Sequence, residues 1–194
     1  MAAPVSVEML QRVCDLTDRT MSRVDDKQLG DPTPCSDWTV QELTEHIVAS
    51  TDFFADAAER GEVAEDREWP DYTPSELLAA YRHHATRLLT AFHATGVMDR
   101  PMRVAAGPST PESCLQIAVS ERLVHSWDLA VATGQPFGDD TADIAEALLA
   151  SAEYRRVNAE VRRNRPPPLG PERAVVDAAP AIQRLVAFLG REPA

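Results

Sequence analysis

Lysine is nearly missing from this chain: Lys27 is the only one among 19 basic residues, and these face 31 acidic ones. The net charge of -12 argues against a nucleic-acid partner, because phosphate binding needs clustered Lys and Arg. It argues more weakly against anionic membrane surfaces. No apolar run approaches the roughly 20 residues of a membrane span, and the Met-Ala-Ala-Pro-Val-Ser start lacks a charged segment leading into an apolar one. Cysteine is scarce too. Cys14, Cys35 and Cys114 are odd in number, far apart and form no Cys-x-x-Cys. That pattern fits reduced thiols in a cytoplasm rather than a disulfide framework. Internal repeats, GxGxxG, Walker, GxSxG and HExxH elements are all absent.

What is present is ordinary globular material. The 194 residues, 44% hydrophobic and 26% charged, suffice for one compact domain with a real core. Helical spacing of Val7, Leu10, Val13, Cys14, Met21 and Val24 predicts a first helix from Val7 to about Val24, broken by the Gly30–Cys35 stretch. Thr39 followed by Glu42 is a capping box that opens a second helix, with Leu43, Ile47, Phe54 and Ala58 inward and Gly61 as its stop. After an acidic loop from Glu62 to Tyr72, Thr73, Pro74 and Glu76 open a third helix. Its inner face is Leu77, Tyr81, Leu88 and Phe92, and Gly96 closes it. A loop from about Val97 to Pro108 holds one short extended candidate, Met102 to Ala105.

Thr110 and Pro111 start a fourth helix running to about Thr133. It is apolar almost all round, as in a central buried helix, yet Glu121, His125 and Asp128 draw a polar stripe along it. Beyond it, Asp140 to about Val161 reads as another helix, Pro166 to Pro171 as a breaker, and Ala179 to Leu189 as a short terminal helix.

Glu121 and His125 stand at i and i+4, so carboxylate and imidazole leave one helix in the same direction. His46, on or at the edge of the second helix's apolar face, supplies a third donor. Catalytic zinc sites commonly use three protein ligands and leave a fourth position to water or substrate. Glu-x-x-x-His also arises often by accident. Glu121 could equally pair with an arginine or face solvent, and His46 could be an ordinary helix histidine. His84 shares a face with Tyr81 and Leu88. It reads as a substitute ligand, a group supporting one, or simply a partly buried histidine with a hydrogen bond. Asp128 could fix the tautomer of His125, or form a helix-surface ion pair. Cys114, two turns before Glu121, is too far to join the same metal, and Cys35 reads as a plain structural thiol.

Two segments carry a resemblance. Thr33-Pro-Cys-Ser-Asp-Trp-Thr-Val-Gln-Glu-Leu-Thr-Glu-His46-Ile resembles the second-helix signature of the mycothiol-dependent maleylpyruvate isomerase family, part of the DinB/YfiT-like superfamily of metal-binding four-helix proteins. Glu121-Arg-Leu-Val-His125-Ser-Trp-Asp-Leu-Ala130 is similar to that family's fourth-helix signature, and Ala187 to Pro193 to the tail of an actinobacterial subgroup described only as metal-binding. The resemblance implies that His46, Glu121 and His125 are zinc ligands and that mycothiol is a cosubstrate. It further implies an additional C-terminal domain in the isomerase, which the tail here after about Asp139 does not look like. Isomerisation of maleylpyruvate itself is therefore not the expected reaction.

The expected fold is all-α: an antiparallel DinB-like four-helix bundle with short C-terminal helices. It forms a single domain over 1–194, with its core at about 5–135 and an extension at about 139–194. The expected ion is Zn2+, with Ni2+ or another divalent metal equally compatible with His2Glu ligation. The expected activity is thiol-dependent transfer to, or isomerisation of, a small electrophile. The alternatives are a non-catalytic metal-binding bundle and a hydrolase using metal-activated water. No catalytic acid or base is assigned, although Asp128 and His84 are candidates. Expected partners are a small-molecule thiol and its electrophile, with no nucleic acid and no membrane; exposed bundle faces leave room for a homodimer.

Overall fold

The computed structural model describes residues 3–35, 38–63, 71–104, 107–164, 170–176 and 178–193. The chain divides into two compact units, Ser6–Gln135 and Pro136–Ala194 with Met1–Val5.

The first unit is built from four long helices: α1 (Val7–Met21), α2 (Val40–Arg60), α3 (Leu77–His93) and α4 (Pro111–Ala132). α1 packs on α3 and α4, and α2 packs on α4 and α3, which closes a four-helix ring. The starts of α1, α2 and α4 are each held by a hydroxyl that satisfies amides otherwise left without partners. Ser6 accepts from the Met9 amide, and Thr110 accepts from the Ser113 amide. At α2, Thr39 accepts from the Glu42 amide while Glu42 reaches back to the Thr39 amide at 2.8 Å. Thr73 and Glu76 make the same box, but on a 3-10 turn that leads into α3 rather than on α3 itself. Gly61 stops α2 at φ 83°, a left-handed conformation that side-chain-bearing residues resist.

The anticipated inward residues are buried: Leu43, Ile47, Phe54 and Ala58 of α2, and Leu77, Tyr81, Leu88 and Phe92 of α3. α4 is buried on nearly every side, as its composition predicts. Two polar ties cross this core. The Tyr81 hydroxyl donates to the Cys14 carbonyl at 2.9 Å, and the Thr17 and Ser126 hydroxyls meet at 2.8 Å.

Several boundaries differ from the sequence expectation. α1 stops at Met21, because the Arg23 and Val24 amides bond only three residues back, to Thr20 and Met21. The extended segment beginning at Met102 has a partner: β1 (Met102–Val104) pairs antiparallel with β2 (Gly107–Ser109). Ala105 of the expected segment, residues 64–70 of the acidic loop, and Ser36 and Asp37 lie outside the described residues.

In the second unit, the single helix expected from Asp140 to Val161 is two: α5 (Ala142–Ala150) and α6 (Ala152–Asn164). Ser151 breaks them with extended backbone, and its hydroxyl accepts from the Tyr154 amide at 3.1 Å. A serine that can cap gains more by starting a helix than by continuing one. α7 (Ala181–Phe188) begins after Pro180 and packs on α5, with Arg184 paired to Glu146. The expected proline breaker lies largely outside the described residues. No helix among the described residues is long and apolar enough to cross a membrane.

Because the Thr39 cap fixes the end of α2 nearest His46, Thr39→Ala is expected to cost about 1 kcal/mol. In a chain of this size that lowers the melting temperature by about 2–4 °C. A thermal scan followed by circular dichroism checks it; an unchanged midpoint would show that the box carries no stability.

Candidate metal centre

His46 leaves the second turn of α2, while Glu121 and His125 leave successive turns of α4, the helix packed against it. The three side chains meet. Glu121 Oε2 lies 3.2 Å from His46 Nε2 and 3.3 Å from His125 Nε2. One ligand atom from each residue lies within 4.8 Å of the others. Tetrahedral zinc with bonds of roughly 2.0–2.2 Å separates its ligand atoms by roughly 3.3–3.6 Å. The two nitrogen–oxygen separations, 3.2 and 3.3 Å, lie at or just below that edge, and the two-nitrogen, one-oxygen donor set suits zinc and neighbouring divalent ions. The residues present therefore fit a metal.

The surroundings fix these donors unequally. The His125 side chain is only 7% exposed, against 32% for His46 and 31% for Glu121, so the group is open on the α2 side. Asp128 is wholly buried and its Oδ2 lies 3.0 Å from His125 Nδ1. The sequence left open a surface ion pair for Asp128. The burial of α4 removes that alternative, and the pairing is the carboxylate–imidazole support found behind metal-binding histidines. Trp38 covers the imidazoles, its ring centroid 4.4 Å from that of His46 and 5.9 Å from that of His125. It was part of the recognised motif, but no sequence argument gave it a role.

Burial would raise the Glu121 carboxyl, but hydrogen bonds from His125 and His46 and the charge of the two imidazoles hold it well below the usual carboxylate range. For His125, burial pulls downward and is outweighed by Asp128 and Glu121, so its pKa is raised. For His46, burial wins over the Glu121 hydrogen bond and the pKa is lowered. The group thus holds an ionised carboxylate, one proton-retaining imidazole and one imidazole that gives up its proton readily.

Two of the cysteines, Cys14 and Cys114, are buried away from the group. Burial pushes the Cys14 thiol up to about 11 and the Cys114 thiol up to about 12, so both are unreactive near neutrality. His83 is exposed, and the exposed His93 bonds the Leu89 carbonyl of its own helix, at 2.8 Å.

A cavity of about 560 Å3 adjoins the group, with Trp38 and His46 in its wall. Val48, Ala49 and Leu77 give it apolar surface, and Glu42, Glu45, Asp71, Asp52, Tyr72 and His84 give it polar surface. His84 is not with the metal donors. It is buried on α3, where its Nδ1 meets Asp52 of α2 at 2.9 Å and its Nε2 meets the Tyr72 hydroxyl at 3.1 Å. Asp52 and Tyr72 were not singled out in the sequence. An acid among the inward residues of α2 was the available signal for the first; nothing in the pattern marks the second.

Comparison with known proteins bears on the family and the fold. Residues 10–130 match the family model for the mycothiol maleylpyruvate isomerase N-terminal domain. An uncharacterized protein of Mycobacterium tuberculosis (strain H37Rv) is 31% identical over 181 residues, 93% of this chain and 94% of the relative. Among solved structures, the mycothiol-dependent maleylpyruvate isomerase superposes with a TM-score of 0.59 at 18% identity, over 74% of this chain and 66% of that one. The chain thus spans just under two thirds of that isomerase. A DinB-like protein of Bacillus subtilis superposes with a TM-score of 0.55 at 18% identity, over 68% of this chain and 95% of its own. These likenesses place the all-α fold among the DinB-like proteins. By its family match, this chain belongs to the mycothiol maleylpyruvate isomerase N-terminal domain family.

Proposed function

We propose that the unit Ser6–Gln135 binds one divalent metal ion, zinc first, through His46, Glu121 and His125, and uses it in a thiol-dependent reaction on a small electrophile. The reaction class is transfer to sulfur or isomerisation through a sulfur adduct. The observation that carries this reading is the convergence of three donors within 4.8 Å of one another, two of the separations near the edge of a tetrahedral ion, beside a cavity that shares His46 in its wall. When bound, the metal supplies a site that lowers the pKa of a thiol and holds it as a thiolate nucleophile. Membership in a family named for mycothiol supports that thiol as the cosubstrate.

The residues around the ion have separable tasks. Asp128 accepts the Nδ1 proton of His125 and turns its Nε2 toward Glu121. Glu121 brings the negative charge that offsets a cation in a partly buried position. Trp38 shields the two imidazoles and leaves the side toward the cavity for ligand. The alternative, a bundle that only stores or senses metal, needs a closed shell. The cavity and the part-exposed His46 and Glu121 favour the catalytic reading over it.

Protein purified without chelator or metal-affinity resin should carry, or take up, about one equivalent of zinc, and His46→Ala should lose it. Cobalt substitution then tests the thiol: adding mycothiol should produce a sulfur-to-cobalt charge-transfer band. Failure to take up zinc or nickel would sink the metal assignment; metal without the band would sink the thiol.

Metal affinity should also fall with acidification. His125 retains its proton to higher pH than a free imidazole, whose pKa is about 6.5. A protonated Nε2 cannot ligate, so zinc binding should release protons and weaken as pH is lowered through a midpoint above that value. Asp128→Asn should lower zinc affinity about 10–100-fold, measured by chelator competition, with helicity checked by circular dichroism. Equal affinity in the variant would remove Asp128 from the site.

A further inference from the structure

The cavity has a second polar centre, away from the three metal donors and on a different pair of helices. His84 of α3 and Asp52 of α2 are both buried, with side-chain exposures of 7% each, and their Nδ1–Oδ1 separation is 2.9 Å. On the other edge of the same ring, Nε2 lies 3.1 Å from the Tyr72 hydroxyl. All three residues line the cavity that also contains His46. Asp52 is anchored from behind by Arg87, which pairs with its Oδ1 and reaches Asp56 and Glu59 at 2.6 Å each.

This order fixes the protons. Asp52 Oδ1, at 2.9 Å, is nearer to His84 Nδ1 than Arg87 Nη1 is, at 3.4 Å, and Nη1 itself pairs with Asp52. Nδ1 therefore carries a proton and donates it to Asp52. In the neutral ring, Nε2 is then an acceptor and takes a hydrogen bond from Tyr72. In the charged ring, Nε2 donates to the Tyr72 oxygen and frees the tyrosine proton for the cavity. The carboxylate balances the charge of the protonated ring, as a buried imidazolium requires.

We propose that Tyr72, His84 and Asp52 form a proton relay in the cavity wall, with Tyr72 as the group that exchanges the proton with substrate. In a thiol-dependent reaction, which rests on the reading given above, the steps balance as follows. The thiol's S–H proton moves to the Tyr72 oxygen as the tyrosine's own proton moves to His84 Nε2, leaving a thiolate and an imidazolium paired with Asp52. Sulfur forms its bond to the electrophilic carbon of an unsaturated carbonyl compound, and the displaced π electrons collect on the carbonyl oxygen. Tyr72 gives its proton to that oxygen and recovers one from His84 Nε2. The relay returns to its starting state and the thiol proton ends on the product as an enol. The substrate class is therefore an electrophile whose oxygen gains a proton when sulfur adds.

The relay can be tested apart from the metal. In metal-free, 15N-labelled protein, long-range proton–nitrogen spectra report which ring nitrogens are protonated, and His84→Gln assigns the resonances. The expected result is a protonated Nδ1, with Tyr72→Phe moving the Nε2 resonance while Nδ1 keeps its proton. An unprotonated Nδ1, or an Nε2 that ignores Tyr72→Phe, would overturn the proposal. With zinc-loaded protein, Tyr72→Phe should slow addition of 2-mercaptoethanol to methyl vinyl ketone in kcat on the order of 100-fold, with KM within a few-fold. An equal kcat would overturn the part assigned to Tyr72. A wild-type protein that catalyses no addition would instead refute the thiol reading, while the ring spectra still decide whether the relay exists.

Discussion

Helix α4, otherwise mostly apolar and buried, carries Glu121, Arg122, His125 and Asp128, and the rest of the first unit is arranged around that placement. Buried charge costs several kcal/mol per ion unless it is paired. Three of the four solve this with one another and with α2. Asp128 holds His125, His125 reaches Glu121, and Glu121 reaches across to His46. The tie to His46 fixes how α2 lies against α4. A core built from aliphatic residues alone would tolerate small sliding of one helix along the other; this seam does not, because a shift of one residue would separate oxygen from nitrogen.

Arg122 is the fourth charge and is less completely satisfied. It is fully buried, donates from Nη2 to the Ser50 hydroxyl, and has no hydrogen-bond partner for Nε or Nη1 among the described residues. Its positive charge acts on its neighbours all the same. It opposes the burial that raises the Cys14 thiol and the Tyr81 hydroxyl, and it adds to the forces that strip the proton from His46. A cation beneath His46 helps keep that imidazole neutral, the form in which it can donate a lone pair.

The helices were legible because their signals are local. Thr39, Thr73 and Thr110 announce starts through spacing that needs no knowledge of the fold, and the stripe on α4 was visible because its neighbours are so apolar. The three proposed metal donors could be picked out because two lie one helix turn apart and the third lies in a recognisable motif. What escaped was set by tertiary burial or by a competing local preference. Ser151 could continue a helix or cap one, and its local preference for capping the Tyr154 amide broke the expected single helix. Asp128 could face water or His125, and the answer depended on how deeply α4 is buried. Tyr72 meets His84 across the start of α3, a contact for which neither helical periodicity nor motif spacing gives any sign.

The two polar centres are joined by geometry rather than by direct contact. His46 and Asp52 are six residues apart on α2, and at 3.6 residues per turn their side chains leave the helix about 120° apart. That angle lets one helix face α4 with the imidazole and α3 with the carboxylate, matching the two helices against which α2 packs. The cavity occupies the angle between them, so His46 is in one wall and the Asp52–His84 pair in another. Rotation of α2 about its axis would break both centres together, since any turn that carries His46 from Glu121 also carries Asp52 from His84. The anchoring of Asp52 by Arg87 on one side and of His46 by Glu121 on the other therefore sets a single orientation of α2. A reaction needing both a metal-held nucleophile and a proton carrier would find the two at a fixed separation without either residue having to move.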